Sequence, residues 1–206
     1  MEYNIHNVPV FVVEPPADLA SIREFCIEAE DLLPSSLLHN VEVVYVGNFK
    51  ELRGRNATYA HGGIYMSNRE PTSFDMMENF VHEVAHSLEV AHGPEIYTDD
   101  LISEFKSKRH TLYRILEAQG YYINPLLYSF TEYNQKFDEF LADVVGYPTL
   151  LTLTMGLFVS PYGATSLQEY FANGFEKYFL DNPRRVRDLS PVLYAKIEEI
   201  INDDEA

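Results

Sequence analysis

The 206-residue chain has a single cysteine, Cys26, and no tryptophan. One thiol closes no internal disulfide and supplies no cysteine cluster for a structural zinc, so the fold has to stand on its core. Positive charge is also scarce: 15 Lys and Arg against 32 Asp and Glu give a formal net charge of −17. Such a surface repels nucleic acid and anionic membranes and suits a basic peptide better. Long apolar runs are missing too. The longest, 149–159, lies between Pro148 and Pro161 and falls short of the ~20 residues a spanning helix needs, so it reads as a buried helix and no membrane span is expected. No glycine-rich phosphate loop occurs, and Gly62-Gly63 alone is too slight to count as one. Residues 1–6 lack the charged start and apolar run of a secretory signal, a lack that any trimmed chain would share, so the compartment stays open.

What the chain does have is core material: 46% hydrophobic residues, with 13 Phe and 15 Tyr. This is ample for one compact core, with residues 1–60 as part of it or as a small subdomain. Residues 8–13 are β-branched and aromatic and stop at Pro15-Pro16, which predicts a strand; 17–33 then shows helical spacing at Leu19, Ile22, Phe25, Cys26 and Ala29. A second strand is expected over 41–46, followed by a loop whose Lys50, Arg53 and Arg55 form one of the few basic patches. Gly62-Gly63-Ile64-Tyr65-Met66 reads as a polar strand whose modest hydrophobicity suits a sheet edge, and an edge can accept a peptide. Pro71-Thr72-Ser73 starts a helix that should run until Gly93-Pro94. Further helices are expected over 99–119, 131–145, 149–159, 166–180 and 191–202. Strands early and helices late predict an α+β fold, a small sheet packed on a mostly helical half.

Inside the helix after Ser73 lies His82-Glu83-Val84-Ala85-His86. Positions i and i+4 share one helix face, so both imidazoles can address a single ion while Glu83 projects beside it. Zinc takes such nitrogen ligands. A catalytic site adds a third protein ligand and a water whose pKa falls to about 7, and Glu83 is the candidate general base for that water. The bland alternative is a polar helix surface, since five residues match by chance; the apolar flank Val81, Val84, Ala85 and Leu88 argues instead for a helix set in a core.

Three residues compete as third ligand. His92 completes a metzincin spacing, except that Glu89 stands where those enzymes turn on Gly; on a continuous helix His92 is rotated about 240° from His86. Glu139 opens a Glu-x-x-x-Asp pattern with Asp143, of the kind thermolysin-like enzymes use. Glu169 is the third. Tyr162-Gly163-Ala164-Thr165 followed by Glu169-Tyr170-Phe171-Ala172-Asn173-Gly174-Phe175 resembles the C-terminal catalytic pattern of the family of anthrax lethal factor and the Pro-Pro endopeptidases: Tyr, six residues, then Glu-aromatic-Phe-Ala-Glu-Ala-Phe. The resemblance runs from about residue 62 to the C-terminus, where 184–201 looks like the family's closing helices. Asn173 and Gly174 depart from it, and the segment between His86 and Tyr162 is longer.

The resemblance implies one zincin-like catalytic domain over 1–206, one Zn²⁺ on His82, His86 and Glu169, and Tyr162 as stabiliser of the oxyanion. It implies a zinc endopeptidase, toxin-like and secreted or delivered, acting on basic, proline-containing proteins or Pro-Pro bonds. The peptide is expected along Gly63, Ile64, Tyr65 and Met66. Two other readings stand beside it: a metzincin-like protease using His92, and a catalytically silent binding module on a protease-like fold. His6, His39, His61 and His110 have no partner at ligand spacing, although His61 abuts the expected substrate strand.

Overall fold

A computed structural model of the chain describes residues 2–16, 20–52 and 54–203. Residues 17–19 of the expected first helix and Arg53 of the expected basic patch lie outside these. The described residues form an α+β structure with five strands and eight α-helices. By the density of their internal contacts, residues 1–93 with 200–206 make one compact unit and 94–199 a second. No helix among the described residues is long and apolar enough to cross a membrane.

In the first unit, β1 (Glu2–Ile5) and β2 (Val8–Val12) make a hairpin whose two-residue turn is His6-Asn7. Sequence reading finds β2 and misses β1, because four residues closed by a turn without Gly carry little signal. His6 takes the glycine-like conformation, φ 52°, and its Nε2 lies 2.8 Å from the Leu33 carbonyl. Helix α1 (Ala20–Leu32) follows, then β3 (Val43–Gly47), β4 (Ala57–Ala60) and β5 (Gly63–Ser67). The sheet order is β1-β2-β3-β5-β4, with β3 parallel to β2 and β5 and the outer pairs antiparallel. Val10, Val44 and Ile64 stand in one row across it, none more than 1% exposed. The next row, Phe11, Tyr45 and Tyr65, faces the other way and stacks ring on ring at 5.9 and 5.2 Å. Phe25 of α1 meets Phe80 of α2 (Ser73–Ile96) edge to face at 5.4 Å.

The strand expected at the sheet edge is not there. β5 pairs with β3 on one side and β4 on the other, so the backbone of Gly63, Ile64, Tyr65 and Met66 is committed in both directions and cannot receive a peptide. The edge is β4. Alternating hydrophobicity says which face a residue occupies but not which strands flank it, and the small residues of Ala57-Thr58-Tyr59-Ala60 disguise a strand. His61 is the first residue of the two-residue turn between them, with φ 52° at His61 and 79° at Gly62, the pair of positive angles that a tight hairpin turn of this hand requires. Helix α2 also runs past the expected stop at Gly93-Pro94 to Ile96. So close to a C-terminus, proline withholds one amide without ending the helix, and Ile96 is fully buried.

The second unit is helical. α3 (Asp99–Ala118) and α6 (Leu167–Leu180) match expectation to within two residues. The expected helix 131–145 is instead α4 (Gln135–Glu139) followed by a π-helical stretch, Phe140–Val145, and the expected 149–159 is the shorter α5 (Tyr147–Leu153). Gly146, with φ 83° and ψ 133°, separates them in a conformation open essentially to glycine alone. α7 (Pro183–Leu189) and α8 (Pro191–Asp203) close the chain. Glu104 of α3 ties these elements together, accepting from the Tyr170 hydroxyl at 2.9 Å and from the Val192 and Leu193 amides at 2.9 and 3.2 Å.

Gly174 lies in the middle of α6, where glycine ordinarily weakens a helix. A Cβ there would sit 2.3 Å from Leu193 Cδ2 and 3.0 Å from Leu193 Cγ, and Leu193 is fully buried. Gly174→Ala is therefore expected to lower stability by about 1–3 kcal/mol through overpacking. Denaturant unfolding measures this, and adding Leu193→Ala should cost less on the Gly174→Ala background than on the wild type.

Candidate metal centre

The longest helix supplies the first residues. His82 and His86 lie one turn apart on α2, their rings 5.0 Å between centroids and 76° apart in plane. His86 Nδ1 is 2.8 Å from Glu89 Oε1. A carboxylate accepts, so this contact places the ring proton on Nδ1 and leaves the Nε2 lone pair for a ligand. Glu89, which the sequence presents only as a departure from the metzincin glycine, thus orients the second imidazole.

Glu83 is 8% exposed, and its Oε2 accepts the Tyr59 amide at 2.6 Å. The position of that amide follows from the ladder. The Ser67 amide donates to the Asn56 carbonyl at 2.7 Å, so the hydrogen-bonded pairs of this antiparallel ladder are Asn56 with Ser67, Thr58 with Tyr65 and Ala60 with Gly63. Ala57 and Tyr59 consequently turn their amides and carbonyls away from β5, toward the side of β4 that has no strand partner. The Glu83 carboxylate is hydrogen-bonded to the outer edge of the sheet.

Glu169 begins from a cap. Ser166 has extended backbone before α6, and its Oγ accepts the Glu169 amide at 3.1 Å, so Ser166 caps the helix that the sequence places over 166–180. The Glu169 carboxylate, 7% exposed, accepts from the Tyr162 hydroxyl at 3.4 Å. Asn173, one turn on, donates to the Glu169 carbonyl at 2.9 Å and accepts from the Ser160 hydroxyl, which joins α6 to the segment leading into Tyr162.

Tyr162 opens a 3₁₀ turn, Tyr162–Ala164. Its carbonyl accepts from Thr165 Oγ1 at 2.8 Å, while Arg109 Nη1 donates to the Ala164 and Thr165 carbonyls at 2.6 and 3.2 Å. Arg109 is 1% exposed, with its guanidinium 3.9 Å from the Phe137 ring centroid; burial lowers its pKa to about 10, which leaves it cationic at neutral pH. The Tyr162 ring meets the Tyr147 ring edge to face at 6.3 Å.

One ligand atom from each of His82, His86 and Glu169 lies within 4.8 Å of the other two, a group that could hold a metal ion. Among the described residues, neither His92 nor Glu139 belongs to such a group. Glu139 is exposed and accepts from Gln135 instead. Sequence reasoning missed Tyr59, Glu89, Arg109 and Tyr147. Of these only Glu89, one helical turn after His86, was detectable from spacing. Compared with known proteins, the chain matches no family model, no curated protein and no solved structure.

Removing an outer-shell carboxylate usually weakens metal binding 10–100-fold. If the group holds a metal ion, Glu89→Ala should weaken its binding by about that factor with the fold intact, as read for Zn²⁺ by competition with a chromophoric chelator.

Proposed function

We propose that the chain is a zinc endopeptidase of the lethal-factor and Pro-Pro endopeptidase kind, with His82, His86 and Glu169 as metal ligands. The observation that carries this reading is the convergence of those three ligand atoms, with Glu83 adjoining the first histidine. Two imidazole nitrogens and one carboxylate oxygen are a donor set that suits zinc, whereas magnesium and calcium favour all-oxygen sites. Three protein ligands also leave one position open, as catalytic zinc sites do.

When bound, zinc supplies the Lewis acidity that acidifies a water and polarises a peptide carbonyl. Glu83 takes the proton of the attacking water and delivers it to the leaving amine. With Oε2 held by the Tyr59 amide, Oε1 is the oxygen placed to carry that proton. Tyr162 donates its hydroxyl proton in a hydrogen bond to the oxyanion, a contribution of about 10²–10³ in kcat for a single such donor. The substrate is an extended peptide added at the outer side of β4, where the Tyr59 carbonyl lies beside the general base that its amide holds, in place of the β5 alignment expected from sequence. A net charge of −17 favours a basic peptide. The proline preference rests on the family resemblance.

The purified chain should bind one Zn²⁺ and cleave a broad peptide library. Glu83→Gln should keep the metal and lose cleavage by at least about 10²–10⁴-fold. Glu169→Ala should lose the metal while His92→Ala retains it; the reverse pattern would make the protein metzincin-like. Stoichiometric zinc with no cleavage would leave a binding module built on a peptidase-like fold.

A further inference from the structure

We infer that Tyr147 is a positioning residue for Tyr162, its ring backing that of Tyr162 while Asp138 anchors its hydroxyl. The catalytic consequence rests on the peptidase reading; the positioning itself rests on residues 133–165.

On a continuous α-helix, residues nine apart point to opposite sides and lie about 13 Å apart along the axis. Asp138 and Tyr147 would then never meet. The π-helical stretch Phe140–Val145 and the break at Gly146 interrupt that geometry, and Tyr147 OH donates to Asp138 Oδ1 at 3.2 Å. Tyr133 OH donates to the other oxygen, Oδ2, at 2.8 Å, so the Asp138 carboxylate is held between two phenols. π-Helical insertions recur at functional sites, and this one re-aims the residue that follows it. Burial and the neighbouring Asp138 charge push the Tyr147 pKa well above the ordinary tyrosine value, so it stays a hydrogen-bond donor across the working pH range.

Tyr162 is fixed at two other points. Its carbonyl is held by Thr165, and its hydroxyl reaches Glu169. The carbonyl contact leaves the side-chain torsions unset and the 3.4 Å hydroxyl contact is long, so the Tyr147 ring, 6.3 Å away and inclined by 71°, stands against their rotation. Tyr147 thus acts on Tyr162, and through it on the direction in which the Tyr162 hydroxyl points.

The test uses the full chain carrying 3-fluorotyrosine, with the ¹⁹F resonance of Tyr162 assigned by its loss in Tyr162→Phe. Tyr147→Phe, which removes the tether but keeps the ring, and Tyr147→Ala, which removes both, should each shift that resonance, metal-free and zinc-loaded alike, with Zn²⁺ affinity unchanged. On a cleaved peptide, Tyr147→Ala should lower kcat about tenfold with KM unchanged, in keeping with small misplacements of a catalytic group. Combined with Tyr162→Phe it should cause no further loss, because it acts only through Tyr162. A Tyr162 resonance that does not move in Tyr147→Phe, or losses that multiply in the double variant, would overturn the inference. If the wild type cleaves nothing, the peptidase reading fails, and the ¹⁹F shift still decides whether Tyr147 positions Tyr162.

Discussion

Glu83 and Glu169 are each less than a tenth exposed, and a carboxylate so far from water demands partners, because an uncompensated buried charge costs several kcal/mol. Much of the surrounding architecture answers that demand. Glu83 is met by the Tyr59 amide, which is available only because the β4 register turns it away from β5. Glu169 receives the Tyr162 hydroxyl, and its own amide is taken by Ser166. Glu104, only half-buried, likewise takes one phenol and two amides at the start of α8. These partners fix side-chain directions that packing alone would leave loose.

The second unit solves the opposite problem with two adjacent cations on α3. Lys108 donates to the Leu157 and Leu189 carbonyls at 2.6 and 2.7 Å, and Arg109 to those of Ala164, Thr165 and Leu127. Burial lowers the pKa of both. Aromatic faces take part of the charge: Phe158 and Tyr170 lie near Lys108, and Phe137 under Arg109. In a chain with 15 Lys and Arg, two are used to hold the carbonyls of irregular segments, one of which carries Tyr162. Irregular backbone cannot satisfy its own carbonyls, so it depends on donors reaching in from a helix.

Legibility in the sequence follows the range of the interaction. The His82 and His86 pair and the limits of α3 and α6 were readable because each rests on residues within a turn or two of one another. The edge strand was misplaced because strand order depends on pairings between segments far apart, and Gly63 to Met66 has the same residue pattern whether β4 flanks it or not. The helix expected over 131–145 starts only at Gln135 and changes from α to π at Phe140. Glu139 and Asp143 drew attention to the segment, yet Asp138 and Tyr147 are the residues whose side chains the π-helical stretch and Gly146 bring together.

By itself, the sequence determined a stapleless acidic α+β protein, two imidazoles on one helix face with a glutamate beside them, and a helix over 166–180 that carries Glu169. Those follow from local geometry and composition. Tertiary structure groups Glu169, which the sequence pattern had already singled out, with the histidines, and it alone decided that Glu89 orients His86 and that Tyr59 at the edge of β4 meets Glu83. The reason is physical: a ligand group is a set of distances between atoms from separate elements, and only the folded chain sets those distances.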